Sequence, residues 1–248
     1  MTDTQPQTVL ITGGASGIGL AIAKRLAEEK NYQVLISDVQ DEKGNTAALS
    51  LHADYFHCNI GEENEVKNLF MEIKNKYNKL NVLVNNAGII RDNVIWKMPV
   101  NDFDAVIDTN LRGTWLMCKE AAIIMKEQNA GRIINIVSRA WLGNPGQSNY
   151  SASKAGVVGL TRVLALELGR YNVYVNAIAP GLIDTPLTQN LKKEVLDKLI
   201  EAQPTKSVGK PEDVANAVAF LANERTQFIT GQVIYVDGGK SVGAGGVV

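Results

Sequence analysis

The chain has 248 residues, 45% of them hydrophobic, with 25 Lys and Arg against 26 Asp and Glu for a net charge of −1. That balance gives no basic surface for nucleic acid and allows a sizeable buried core. There is no run of about 18 apolar residues to span a bilayer, nor a signal-peptide stretch at Met1–Gln7.

In chain order, the first apolar run, residues 8–12, leads into Gly13-Gly14-Ala15-Ser16-Gly17-Ile18-Gly19 and then an amphipathic helix over 17–29. A glycine turn between a strand and a helix lets backbone N–H groups and the helix N-terminus approach a pyrophosphate. The second run, 33–37, ends at Asp38, 19 residues after Gly19. An acid at that place in a βαβ unit reaches the adenosine ribose hydroxyls and repels a 2′-phosphate, which favours NAD(H) over NADP(H).

Further apolar runs follow at 53–57, 80–84, 132–137, 173–178 and 232–236. Helical patterns fill 41–50, 62–77, 101–128, 150–170 and 211–223. Strands alternating with helices predict an α/β chain, a Rossmann-type doubly wound parallel sheet of seven strands in three αβα layers. No linker or repeat divides residues 1–248, so one domain is expected, with 186–204 an inserted helical flap. The tail from Gly238 to Gly246 is too glycine-rich for regular structure.

Ligands in such sheets bind at the carboxyl ends of strands. Asn85-Asn86-Ala87-Gly88, Ser138 and Ala179-Pro180-Gly181 all fall there. Tyr150 and Lys154 lie four apart on a predicted helix and share a face. An ammonium beside a phenol favours the phenolate, which suits proton exchange with a carbonyl or alcohol oxygen. Ser138 would steady the oxyanion. A Ser-His-Asp hydrolase is excluded, because the two histidines, His52 and His57, lie early in the chain away from any nucleophile elbow. Cys58 and Cys118 sit in apolar segments, match no metal spacing and are expected to be reduced, so a cytoplasmic location is expected.

Thr-Gly-x-x-x-Gly-x-Gly, Asn-Asn-Ala-Gly, Ser…Tyr-x-x-x-Lys and Pro-Gly-x-x-x-Thr occur in that order from Thr8 to about Gly239. In these motifs the chain resembles the short-chain dehydrogenase/reductase family, and among its members the 3-oxoacyl-[acyl carrier protein] reductases and hydroxyacyl-CoA or secondary-alcohol dehydrogenases. The resemblance implies Tyr150 as acid/base, Lys154 on the nicotinamide ribose, Ser138 on the substrate oxygen and Asn110 on a water feeding a proton relay. It implies cofactor contacts at Gly13, Ser16, Gly17, Ile18, Gly19, Asp38, Asn59, Ile60, Asn86, Ala87, Gly88, Pro180, Gly181, Ile183 and Thr185, besides Tyr150 and Lys154. It further implies a small-molecule or acyl-thioester substrate and a homotetramer. Three departures stand out: Asn59 replaces a common Asp, Ser138 and Tyr150 are 12 rather than 13 apart, and Arg139-Ala140-Trp141 makes the intervening loop bulky. Ser16 stands where NADPH-using relatives carry Arg. A 3-oxo/3-hydroxyacyl thioester is the expected substrate, with a cyclic or small secondary alcohol as the alternative. An NAD(H)-binding sensor without catalysis is the reading from another class. Arg91 is read as tying down its loop rather than meeting an acyl group.

Overall fold

Strands form where Val, Ile and Leu run almost unbroken, and both of their faces are covered. In the computed structural model, which describes residues 6–189 and 191–242, these are β1 Gln7–Thr12, β2 Tyr32–Asp38, β3 Asp54–His57, β4 Val82–Asn85, β5 Gly131–Ile136, β6 Val173–Pro180 and β7 Val233–Val236. All neighbours pair in parallel in the order β3-β2-β1-β4-β5-β6-β7. The order reverses between β1 and β4, so the crevice at their carboxyl ends is the switch point where ligands bind.

Alternate residues of each strand feed opposite faces. Val9 and Ile11 face α1 (Gly17–Glu28), α2 (Asp41–Leu51) and α9 (Pro211–Ala222), packing with Ile22, Leu26, Val214 and Val218. Leu10 and Leu35 face α3 (Glu63–Tyr77), α5 (Thr114–Gln128) and α6 (Ser148–Leu168), packing with Phe70, Ile73, Leu116 and Met117. Each such side chain contributes roughly 1.5–3 kcal/mol by leaving water. Three layers result.

The single helix expected over 101–128 is instead three pieces: α4 (Val100–Ile107), a π-helical segment at Asp108–Gly113, and α5. The π-helical segment holds Asn110, whose side chain is bonded outside the helix, as described below. The next helix starts at Ser148, two residues ahead of the expected Tyr150. The segment 186–204 carries α7 (Pro186–Gln189) and α8 (Lys193–Glu201). Gly238 and Gly239 turn at φ of 60° and 83°; the rest of the glycine-rich tail, from residue 243, lies outside the described residues. Among those described, no helix is long and apolar enough to cross a membrane. Nor does any group of three His, Cys, Asp or Glu side chains converge on a metal position.

Candidate active site

The turn after β1 is shaped by contact as much as by conformation. Gly13 has φ +63°, and a Cβ there would sit 2.8 Å from the Cα of Ala87. A Cβ on Gly19 would lie 2.1 Å from the Gly13 carbonyl. Gly17, at φ +53°, differs: a Cβ would meet no protein atom within 4 Å. Gly13 and Gly19 thus serve packing, whereas Gly17 borders open space. Asn86 clamps the turn, its Nδ2 donating to the carbonyls of Thr12 and Gly13 at 3.1 and 3.0 Å. Thr12 Oγ1 accepts from the backbone N–H groups of Asn86 and Ala87.

Ser16 caps α1 in extended conformation without a side-chain bond to the helix, and the first turn holds no acid. Its N-terminal N–H groups are therefore unclaimed by side chains, which suits an anion such as a pyrophosphate. Beside it, Asp38 is buried, with Oδ2 accepting from Ala15 N–H and Oδ1 from Gln40 N–H, both at 3.1 Å. The carboxylate is thereby fixed against the turn. These residues fit a dinucleotide cofactor. Asn59 folds its Oδ1 back onto Gly61 N–H at 3.1 Å, and the buried Ile60 packs under Gly113.

On the other side of the crevice opens a cleft of about 500 Å³. It brings together Ile18, Asn86, Gly88, Ser138, Tyr150 and Lys154, with Pro180, Gly181, Ile183 and Thr185 along the wall after β6. Ser138 lies two residues beyond β5 and caps a short 3₁₀ turn (Arg139–Leu142), its Oγ accepting from Ala140 N–H at 3.1 Å. Tyr150 stands in the first turn of α6.

Lys154 is only 4% exposed, and its Nζ donates to the Ile136 carbonyl at 2.8 Å. It lies 5.7 Å from the centroid of the Tyr150 ring. The expected lowering of the phenol by the ammonium is not found. Burial pushes Tyr150 up to about 12, opposed by the nearby Ser138 hydroxyl. Burial also brings Lys154 down to about 8. Desolvation is the largest cause at both, because each group's charged form loses its hydration.

Asn110 lies behind the cleft wall rather than in it. Its Oδ1 accepts from Ile89 N–H at 2.8 Å, and its Nδ2 donates to the Ile89 carbonyl at 2.9 Å and more weakly to Ser153 Oγ at 3.4 Å. Gly88 fills the gap between Asn110 and Lys154, since a Cβ there would be 3.1 Å from Asn110 Oδ1 and 3.6 Å from Lys154 Nζ. Arg91 is paired with Asp102 at 2.7 Å. Sequence reasoning missed the rest of the lining, chiefly Arg139, Gln147, Leu199, Gln203 and Lys240. Of these only Arg139, next to Ser138, had a local signal.

A doubly wound sheet whose switch crevice opens on a Ser, Tyr and Lys cleft defines a Rossmann-type oxidoreductase. Known proteins narrow the class. Residues 13–241 match a family described as enoyl-(acyl carrier protein) reductase. The chain is 42% identical over 246 residues to the (2S)-[(R)-hydroxy(phenyl)methyl]succinyl-CoA dehydrogenase subunit BbsD of Thauera aromatica, covering 97% of this chain and 99% of the relative. It is 43% identical over 242 residues to the 3-oxoacyl-[acyl-carrier-protein] reductase FabG of Rickettsia bellii, covering 96% and 98%. The solved structure of levodione reductase superposes with a TM-score of 0.91 at 33% identity, covering 97% of this chain and 99% of that one. The chain belongs to the short-chain dehydrogenase/reductase family and is an NAD(P)-dependent oxidoreductase interconverting ketones and alcohols.

Proposed function

We propose that this enzyme exchanges hydride between NAD(H) and the 3-carbon of a 3-oxoacyl or 3-hydroxyacyl thioester. The observation that carries the chemistry is the convergence of Ser138, Tyr150 and Lys154 on one cleft, where burial raises the phenol to about 12 and lowers the ammonium to about 8. At neutral pH the Tyr150 O–H is intact and can donate to a carbonyl oxygen. Lys154, poised near neutrality, can return that proton. Ser138, which lines the same cleft as the phenol, is placed to hold the same oxygen. Asn110 positions the Gly88–Ile89 backbone beneath Lys154. The bound nicotinamide supplies or accepts the hydride.

NAD(H) is favoured because the Asp38 carboxylate occupies the ribose end and no cation stands in the glycine turn. The thioester reading draws on two relatives whose names specify a CoA derivative and a 3-oxoacyl-[acyl-carrier-protein] substrate. We take residues 1–248 as one domain, with 186–204 as the flap: Leu199, Ala202 and Gln203 on it line the cleft. A homotetramer fits the exposed apolar residues Trp115 and Ile123 on α5 and Val163 and Leu166 on α6.

The test is oxidation of NADH and of NADPH by an acetoacetyl thioester, measured for the wild type and for Tyr150→Phe. Expected are faster turnover with NADH and a loss of several orders of magnitude in the variant with NADH binding retained. Preference for NADPH would refute the cofactor assignment. Full activity in Tyr150→Phe would refute the acid/base assignment, and turnover of cyclic ketones alone would move the substrate to the secondary alcohols.

A further inference from the structure

Within that ketone-reductase reading, on which this rests, we infer that the substrate carries an anionic group, a carboxylate or a phosphate, held by Arg139 and Lys240. The catalytic cleft is lined by three cationic side chains, Arg139, Lys154 and Lys240, and by no Asp or Glu. Composition does not produce this local excess, since acids outnumber Lys and Arg in the chain by 26 to 25. Lys154 is explained by the proton chemistry. The other two are not.

Arg139 directly follows Ser138 and is half-buried. Its Nε donates to Ser241 Oγ at 3.3 Å. Lys240, also half-buried, donates from Nζ to the Ala202 carbonyl at 2.7 Å. Neither forms an ion pair among the described residues, although Arg91, Lys74 and Lys76 all do. A partly desolvated cation without a counter-charge is a cost that an anionic ligand offsets. A concave, weakly polarisable wall strengthens the attraction further.

The two cations come from separate segments, one after β5 and one after β7, and the Arg139–Ser241 bond ties those segments together. Both lie on the β5–β7 side of the cleft. The glycine turn and the free N-terminus of α1 lie on the β1 side, so the cofactor's pyrophosphate has its own binding elements. Arg139 and Lys240 therefore determine substrate specificity, selecting a ketone that also carries a negative group.

Three acyl donors differing in charge separate the sources of that anion. Acetoacetyl-N-acetylcysteamine is neutral, acetoacetyl-CoA adds phosphates on the thiol side, and a 3-oxoadipyl-N-acetylcysteamine adds a carboxylate on the acyl side. The expected result is a kcat/KM about 10- to 100-fold higher for one anionic donor than for the neutral one. That ratio should fall towards one in the double variant Arg139→Gln/Lys240→Gln. Advantage for the CoA donor assigns the phosphate, and advantage for the oxoadipyl donor assigns the carboxylate. Equal kcat/KM for all three in the wild type, or an advantage surviving in the double variant, overturns the inference. So does a matching loss of NADH affinity in the variant, which would give the cations to the cofactor. If no thioester is reduced, the ketone-thioester reading fails by itself. Calorimetric titration of the NADH-loaded protein with succinate and with inorganic phosphate then decides the anion site: binding lost in the double variant supports it, and no binding to the wild type overturns it.

Discussion

Tyr150 and Lys154 share a helix face, yet burial sets the protonation of each more strongly than its neighbour does. The consequence for stability follows from the signs. Lys154 titrates at about 8 in the fold against its ordinary 10.5. Below pH 8 it is charged folded and unfolded, and the fold bears the whole cost of burying an ammonium. Above 10.5 it is neutral in both states and the cost disappears. Lys154→Met should therefore stabilise the protein at pH 7 by on the order of 2 kcal/mol, net of the lost bond to Ile136, while turnover vanishes. Tyr150 works the other way, staying protonated to about 12 and costing stability above pH 10. It does so in both proteins and cancels from the difference. Urea denaturation of wild type and variant at pH 7 and pH 10.5 checks the prediction, and an equal gain at both values would refute burial as the cause.

At the scale of elements, the strands were legible because a two-sided parallel sheet demands unbroken Val, Ile and Leu, as in Val82-Leu83-Val84. The π-helical segment was not. Residues 101–128 carry a continuous helical pattern, and the π-helical segment coincides with Asn110, whose side chain is held by the Ile89 backbone across the crevice. π-helical turns recur at functional sites. Ser138, Tyr150 and Lys154 could be read from strand-end position and helical spacing. Gln203 and Lys240 could not, since only tertiary folding brings residues after α8 and after β7 to the same wall. The glycine turn offers a direct check at this scale. Gly19→Ala places a methyl 2.1 Å from the Gly13 carbonyl, forcing α1 away from the turn. It should cost about 1–3 kcal/mol and weaken NADH binding by at least tenfold. Unchanged affinity by fluorescence titration would show that the turn tolerates the shift.

For the whole molecule, the outward faces are as informative as the core. On α6, Ala152, Gly159, Val163 and Leu166 form one exposed stripe of small and apolar residues, and Leu166 is 85% exposed. Trp115 and Ile123 are exposed on α5. Apolar helix faces of this kind pack against symmetry mates. Light scattering should give the mass of four chains for the wild type, and Val163→Glu/Leu166→Glu should lower it to two or one. A wild-type mass of one chain would exclude the tetramer.

On the proposed use of NAD(H), Asp38 has a consequence for redirecting the enzyme to NADPH. Its carboxylate, which we propose bars a 2′-phosphate, is also the acceptor for two backbone N–H groups, those of Ala15 and Gln40. Removing it orphans the buried Ala15 N–H at about 1–3 kcal/mol, whereas the N–H of the exposed Gln40 can turn to water. Cofactor choice is thus locked to the integrity of the loop that reads the cofactor. A single-step switch leads into a stability trough. The passable route first supplies a new acceptor for the Ala15 N–H and only then surrenders the acid.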